Sequence, residues 1–296
     1  MATCNIGKKF LAELLGTFLL VLFGTGSAVV TLLIADSVNP GAGGIGILGG
    51  LGDWIAIALV FGLTVMVCIY VFGKISGAHL NPAVTIGLLV TKNISVVDSI
   101  YYIVAQVIGA ILGSAALFLC LGDPSVTIGG LGATAPGLGV SYFQAMFAEF
   151  LGTFFLMLVV MGVAVDKKAE PGFAGLSIGM TVAAVIGVLG AFTGASINPA
   201  RTFGPYLMDV VLGGLDTLKD QISKAVGNVD FAVITIFPVK DGKRDEFDYD
   251  WNDDDDNPEV KAGDYIRQDD QAKSFRELVQ RGLSMFPSTD DRKITF

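Results

Sequence analysis

Two Asn-Pro-Ala triplets are the residues of this 296-residue chain whose type and spacing point most directly to a chemical role. Asn is a favoured N-cap and Pro suits the first helical position, so each triplet predicts a helix start. Helix-compatible sequence follows Asn81-Pro82-Ala83 as far as Lys92, and follows Asn198-Pro199-Ala200 as far as Met208 or Asp209. Each stretch is shorter than the roughly 17–25 residues that cross a bilayer. The triplets therefore predict two half-helices that begin inside a membrane.

Such helix starts can orient a passing molecule and exclude ions, without making or breaking covalent bonds. Each half-helix presents the positive end of its dipole, roughly half a charge, and two such ends at the membrane midplane oppose cations, including protons. The Asn81 and Asn198 amides can donate to the oxygen of a passing water and interrupt a proton wire, while Ala83 and Ala200 are small enough for the two tips to meet. The alternative is a plain capping role for each triplet. Two copies in the same Gly-Ala frame argue against it.

Enzyme chemistry has little support in the body of the chain. His79 is the only histidine, and the body has no acidic cluster for acid–base or metal chemistry. The three cysteines are predicted to be small buried hydrophobes, without a disulfide framework or metal site. We therefore expect a protein that is not an enzyme and uses no cofactor or metal.

Five apolar runs are the elements that must position the two half-helices: residues 10–35, 54–73, 99–121, 142–165 and 172–192. Hydrophobic residues make up 52% of the chain and the mean hydropathy is +0.65. Charged residues make up only 16%, against about 25% in soluble domains. The runs are rich in Gly and Ala, which let membrane helices approach closely. These features predict a multi-pass membrane protein.

Two internal repeats relate the halves of this body. Phe10–Phe18 returns as Met146–Phe154, and Ser76–Thr85 returns as Thr193–Thr202. If each unit contains three spans, the second unit is inverted relative to the first. Inverted repeats place their site at the bilayer midplane, built from broken helices.

The lysines of the body predict its orientation. All six lie on one face if the segment from Asn81 to Lys92 enters the membrane and returns to the same side. They are Lys8, Lys9, Lys74, Lys92, Lys167 and Lys168. The positive-inside rule then places the N-terminus in the cytoplasm.

The motifs around the triplets resemble those of the aquaporin, or major intrinsic protein, family over residues 1–212, and specifically its archaeal and bacterial water-channel branch. The resemblance rests on residues 77–85 and 194–205 and on two Ala-Glu-x-x-Gly-Thr-Phe segments that open the first and fourth runs. It implies an all-α membrane protein, a right-handed bundle of inverted repeats with two re-entrant half-helices. It also implies a passive water channel that excludes protons and ions, assembled as a homotetramer in the plasma membrane.

The resemblance places an outer selectivity filter at Phe61, Ile186, Ala195 and Arg201. An arginine inside a membrane is a functional hypothesis by default, and here it would repel cations and donate to transiting water. The alternative is a buried structural ion pair, for which Asp209 is the nearest acid in sequence.

Ile186 stands where strict water channels carry a histidine, so we expect a more apolar aperture that also passes small neutral solutes such as glycerol. Dedicated glycerol facilitators carry Asp directly after the pore arginine and a basic residue four positions further on. This chain has Thr202 and Tyr206 instead.

Glu13 and Glu149 occupy matching positions of the repeat. By resemblance they accept hydrogen bonds from the loop backbone. The alternative, a proton relay, lacks a titrating partner. His79 is expected to be a packed loop residue with a polar partner, the alternative being a catalytic base.

The resemblance ends near residue 212, and most of the net negative charge lies beyond that position. Residues 213–296 contribute −7 of the net −9, and residues 1–212 only −2. The repeat predicts a sixth span at 216–237, but that segment carries several charges and cannot cross a membrane cheaply. We therefore predict a channel body, 1–212, and an acidic, irregular tail, 213–296. A net negative charge also does not suit nucleic-acid binding.

Several explanations of this tail stay open. It is a divergent end, a reading-frame shift or an erroneous join; or an interaction module on a five-span body; or a neighbouring subunit supplies the missing wall. Three functions are considered separately: a water channel in the lipid bilayer, a facilitator for glycerol or other small solutes, and a non-conducting membrane-anchored interaction protein that acts through its acidic tail.

Overall fold

Five helices among the described residues are long and apolar enough to cross a membrane. The structure is a computed structural model that describes residues 5–41, 44–137, 139–226, 239–240 and 243–244. The spanning segments are α1 (Ile6–Val38), α2 (Leu51–Ser76), α4 (Val96–Leu121), the α6 segment (Tyr142–Val165) and α7 (Ala174–Thr193). They confirm the five predicted apolar runs, and α1, α2 and α4 extend a few residues beyond them.

Polar side chains cap the starts of three of these helices, α1, α4 and α6. The Asn5 side chain accepts from the amide of Gly7 at the start of α1, and the Ser95 side chain accepts from the amide of Asp98 at the start of α4. Ser141 and Gln144 form a reciprocal capping box before α6. A helix N-terminus has four unpaired amides, so these side chains satisfy donors that would otherwise stay open near the membrane surface.

The remaining helices are short or begin at the triplets. They are α3 (Pro82–Val90), α5 (Pro124–Thr127), a 3₁₀ turn (Gly130–Gly132) and α8 (Pro199–Val226). Within the fourth span, α6 itself ends at Val160 and continues as a π-helical turn, Met161–Val165. At 1.5 Å per residue α3 is about 14 Å long, half of a roughly 30 Å hydrocarbon core.

The predicted end of the second half-helix at Met208 or Asp209 is wrong, because α8 continues to Val226. Between Asp209 and Val226 the sequence contains no proline that would end the helix, although it includes Gly213 and Gly214. A helix of 28 residues is about 42 Å long. It starts mid-membrane, so its second half lies beyond the hydrocarbon, which explains how it carries charged residues. Residues 213–226 of the predicted tail are therefore helical.

Glycines allow the spanning helices to cross at close range. A Cβ added at Gly109 of α4 would lie 2.3 Å from the carbonyl oxygen of Leu14 in α1. A Cβ at Gly62 of α2 would lie 2.5 Å from the carbonyl oxygen of Gly179 in α7. Without a hydrophobic drive between helices in lipid, this close packing is what holds them together.

The two halves repeat each other: α1, α2 and α3 correspond to α6, α7 and α8. Helix α4 has no counterpart among residues 5–226, where α8 runs unbroken through the positions at which a sixth span would start. The all-α class predicted for the body is confirmed. These helices belong to one unit, Met1–Phe231. In the second unit, Ala232–Phe296, the described residues form two short antiparallel strands, β1 (Val239–Lys240) and β2 (Lys243–Arg244). The rest of the predicted irregular tail lies outside the described residues.

Candidate functional site

Both triplets start helices. The Asn81 Oδ1 accepts from the amide of Ala83 at 2.8 Å. The Asn198 Oδ1 accepts from the amides of Ala200 and Arg201 at 3.0 and 3.2 Å. Each Asn thus uses its side-chain oxygen as the N-cap acceptor, which leaves its NH₂ group pointing away from its own helix.

The two helix starts meet tip to tip. Asn81 Nδ2 donates to the carbonyl oxygen of Ile197 at 2.7 Å, and Asn198 Nδ2 donates to the carbonyl oxygen of Leu80 at 2.9 Å. A side-chain amide has two hydrogens, and each of these bonds uses one of them. The second hydrogen of each Asn therefore remains available to a molecule in the adjoining cavity.

The loops that lead to the triplets have an unusual backbone. Ala78 and Leu80 have φ values of +50° and +54°, and their counterparts Ala195 and Ile197 have +44° and +43°. Left-handed conformations at non-glycine residues cost free energy and persist only where neighbouring groups hold them.

Two glutamates hold these loops. Glu13 accepts from the amides of His79 and Leu80 at 2.9 and 2.7 Å and from the Ser76 hydroxyl at 2.6 Å. The same pattern recurs in the second half. There Glu149 accepts from the amides of Ser196 and Ile197 at 2.9 and 2.7 Å and from the Thr193 hydroxyl at 2.6 Å. Each carboxylate satisfies backbone donors that would otherwise be unpaired inside the membrane.

His79 lies in the first loop. Its Nδ1 is 3.1 Å from the Thr85 Oγ1, and its ring lies edge-on to Tyr102 with 4.9 Å between ring centroids. The side chain is partly buried and lines the cavity described below.

The predicted filter residues come from four parts of the fold. Arg201 is only 4% exposed, and its Nη1 donates to the carbonyl oxygen of Gly132 at 2.8 Å. The Arg201 Cζ lies 5.1 Å from the centroid of the Phe61 ring, within the range of a cation–π contact. Ile186 and Ala195 are buried as well. The structure thus places Phe61 directly beside Arg201.

A cavity of about 400 Å³ joins these groups. Its wall includes Asn81, Asn198, Phe61, Ile186 and Arg201, whereas Ala195 does not line it. Most of the other lining residues are aliphatic: Leu20, Val65, Ile69, Val84, Leu88, Leu156, Val160, Val165, Ile178 and Val182. The cavity therefore has a few convergent hydrogen-bond donors in an otherwise apolar wall, the usual make-up of a selective small-molecule passage.

The family profile described as Major intrinsic protein matches residues 1–214. The chain belongs to the major intrinsic protein family. It is 54% identical over 233 residues to Aquaporin AqpM of Methanothermobacter marburgensis, covering 78% of this chain and 95% of that protein. It is 40% identical to Glycerol uptake facilitator protein-like 6 of Lactiplantibacillus plantarum, over 67% of this chain and 82% of that protein. Among solved structures, the aquaglyceroporin from Plasmodium falciparum matches with a TM-score of 0.59 and 29% identity, over 72% of this chain and 85% of that chain.

Family membership confirms the resemblance drawn from the motifs and places this major intrinsic protein among membrane channels, as opposed to enzymes. The chain is a multi-pass membrane protein, as its five apolar helices indicate.

Several residues around the site were not found from the sequence. Gln106 of α4 donates to Glu13 Oε2 at 2.8 Å and to Thr85 Oγ1 at 3.0 Å. The 3₁₀ turn supplies the Gly132 carbonyl to Arg201, and the Tyr206 hydroxyl donates to the carbonyl oxygen of Thr134. A lone Gln in an apolar run was a usable signal, because a buried amide needs partners. The backbone acceptors at 132 and 134 had no signal in the sequence.

Proposed function

We propose that this chain conducts water passively across the membrane and excludes protons and ions. The observation that carries the proposal is the meeting of two helix N-termini whose Asn81 and Asn198 amides share one cavity with Arg201. The helix termini and the guanidinium are all positive, and the aliphatic wall offers no compensating acid along most of its length.

Water passes such a site because both Asn side chains can donate to its oxygen. One hydrogen of each amide is committed to the opposite loop, and the geometry of that bond fixes the direction of the second. A water that accepts from both amides turns its own hydrogens away from the midplane. Its neighbours in single file are then oriented in opposite senses, which breaks a continuous proton wire.

The outer constriction adds a second barrier. Arg201 is held by the Gly132 carbonyl and by the face of Phe61, so its charge stays directed at the passage. Four residues, Phe61, Ile186, Ala195 and Arg201, form this filter in our proposal. Glu13, Glu149 and His79 support the loops.

Stopped-flow light scattering on proteoliposomes tests the proposal. We expect osmotic shrinkage much faster than in empty vesicles, with no accompanying proton flux. Leu112→Ala on the exposed face of α4 serves as a matched variant that keeps full water flux. Water permeability equal to that of empty vesicles, with the protein correctly inserted, would refute the proposal.

Glycerol and other small neutral solutes are a second proposed cargo. Ile186 makes the filter more apolar than a histidine would, and the family includes relatives named for glycerol uptake. Ile186→His should lower glycerol flux more than water flux, because it narrows the filter and adds a donor. Equal effects on both fluxes would argue that residue 186 does not select.

We further propose that the N-terminus is cytoplasmic, in a plasma-membrane homotetramer. Lys9 Nζ lies 2.8 Å from Asp98 Oδ2, which brings the starts of α1 and α4 to one face. The Tyr70 hydroxyl donates to the Gly172 carbonyl and accepts from the Leu176 amide, which brings the end of α2 and the start of α7 together. The lysines near these ends then share one side. Chemical cross-linking of the solubilised protein tests the tetramer.

A further inference from the structure

The two halves of the body differ at the positions that contact α4 in the first half. There the matching residues of the second half are more exposed. Glu13 is fully buried, whereas Glu149 is only partly buried. Thr85 is fully buried, whereas its counterpart Thr202 is partly exposed. The difference follows from what covers each half.

Helix α4 covers the first half. It packs on α1 through Gly109 and Gly113, where added Cβ atoms would lie 2.3 and 2.7 Å from the carbonyl oxygens of Leu14 and Phe18. From this position Gln106 donates to Glu13 Oε2 and to Thr85 Oγ1. The helix therefore contributes both close backbone packing and an amide donor.

The corresponding surface of the second half lies open among the described residues. We call it the open face of α6: Phe150, Thr153, Phe154 and Met157, the counterparts of Leu14, Thr17, Phe18 and Val21. Phe150 is 61% exposed and Phe154 is 56% exposed. Thr17 and Val21 are fully buried, whereas Thr153 and Met157 are only partly buried.

The polar partner is missing in the same place. Glu13 Oε2 accepts both the Leu80 amide and the Gln106 amide. Among the described residues Glu149 Oε2 accepts only the Ile197 amide. A partly exposed carboxylate in the middle of a membrane is costly when it has one donor fewer, since hydrocarbon offers no replacement.

We propose that the open face of α6 binds a membrane-spanning helix of a different polypeptide chain. This helix carries small residues for close approach and a side-chain amide that donates to Glu149. We expect this helix to resemble α4 in both features, because α4 packs on the matching surface of the first half and donates to Glu13 there. Helix α4 of a second copy is not free for the task, since its Gln106 is buried against its own Glu13.

The probe is a synthetic peptide with the α4 sequence, Val96–Leu121, flanked by lysines. It carries a photoreactive leucine in place of Leu117, which is buried in α4 and faces α1 at Gly26. It is added to the full chain in phosphatidylcholine vesicles, and cross-links are mapped by mass spectrometry. We expect saturable cross-links to the fourth span close to Gly162, the counterpart of Gly26. A peptide with Gln106→Leu should cross-link about fivefold less, the loss expected for one interhelical hydrogen bond in a membrane.

Matched variants of the chain separate the open face from other apolar surface. Phe154→Ala should weaken cross-linking, while Phe23→Ala, a similarly exposed phenylalanine on α1, should leave it unchanged. Equal cross-linking of the Gln and Leu peptides, or cross-links scattered over all the helices, overturns the proposal in favour of lipid. The proposal is also overturned if α6 cross-links to a second copy, or to residues beyond 226 of its own chain, and the peptide does not displace these contacts. The second copy or the C-terminal residues would then be the occupant.

Discussion

Single buried side chains hold the strained loops of this channel in place. The left-handed residues Ala78 and Leu80 would relax if their backbone amides lost their acceptors. The Ser76 hydroxyl accepts from the amide of Ala78, Glu13 accepts from the amides of His79 and Leu80, and Gln106 in turn donates to Glu13. A buried carboxylate depends on the groups that donate to it, so Gln106 behind the loop matters as much as the loop itself.

Gln106→Leu should therefore destabilise the protein by about 1–3 kcal/mol, because the Glu13 carboxylate and the Thr85 hydroxyl each lose a buried partner. The measurement is the temperature at which the detergent-solubilised protein loses its helical circular dichroism. Leu112→Ala on the lipid-facing side of the same helix is the control. A melting temperature equal to that of the control would contradict a supporting role for Gln106.

Arg201→Ala should raise cation leakage through the channel about tenfold or more while water flux persists, since ~1.4 kcal/mol off a barrier already gives a tenfold rate. A pH-sensitive dye inside proteoliposomes reports the leak. Arg201→Lys keeps the charge and should keep most of the exclusion. If Arg201→Ala vesicles stay as tight as wild type, the charge does not set selectivity.

At the scale of elements, the decisive feature is that helices start in the middle of the membrane. The Asn caps, with Pro at the first position, satisfy backbone amides at each helix start, and the opposite loop accepts one of the two Asn amide hydrogens. The long helices must then close tightly around the two tips. Glycine pairs at the crossings permit this, as at Gly62 of α2 and Gly179 of α7.

Gly62→Ala should cost about 1–3 kcal/mol, because the new methyl would lie 2.5 Å from the carbonyl oxygen of Gly179 and would force α2 and α7 apart. Gly73→Ala in the same helix is the matched control. Its Cβ would meet nothing closer than 3.9 Å, so helix propensity alone should act, with a gain of up to about 1 kcal/mol. The measurement is the melting temperature of both variants in detergent. Equal shifts in melting temperature would show that α2 and α7 do not cross closely at Gly62.

At the scale of the whole molecule, the two halves are inverted but unequally covered. Helix α4 buries one side of the first half, and the described residues leave the same side of the second half open. Five crossings put Val226, at the end of α8, on the opposite side of the membrane from the start of α1. If the N-terminus is cytoplasmic, as we propose, Val226 would then lie outside the cell.

Protease protection tests this topology. In sealed right-side-out vesicles trypsin should cut after the basic residues beyond Val226, while Lys8 and Lys9 stay protected. Inside-out vesicles should show the reverse. Cleavage of the tail only in inside-out vesicles would mean that the chain crosses the membrane once more than the described helices do.

The sequence by itself determined the number of spans, the two mid-membrane helix starts and the family, because hydropathy, caps and repeated motifs are local in the chain. It also indicated the acidic charge beyond residue 212. The tertiary structure decided which groups meet. Gln106 and Glu13 are 93 residues apart, and Gly132 and Arg201 are 69 apart, so no local pattern pairs them. It also decided that α8 runs on to Val226, since a helix ends where its surroundings stop it and not where it leaves the membrane.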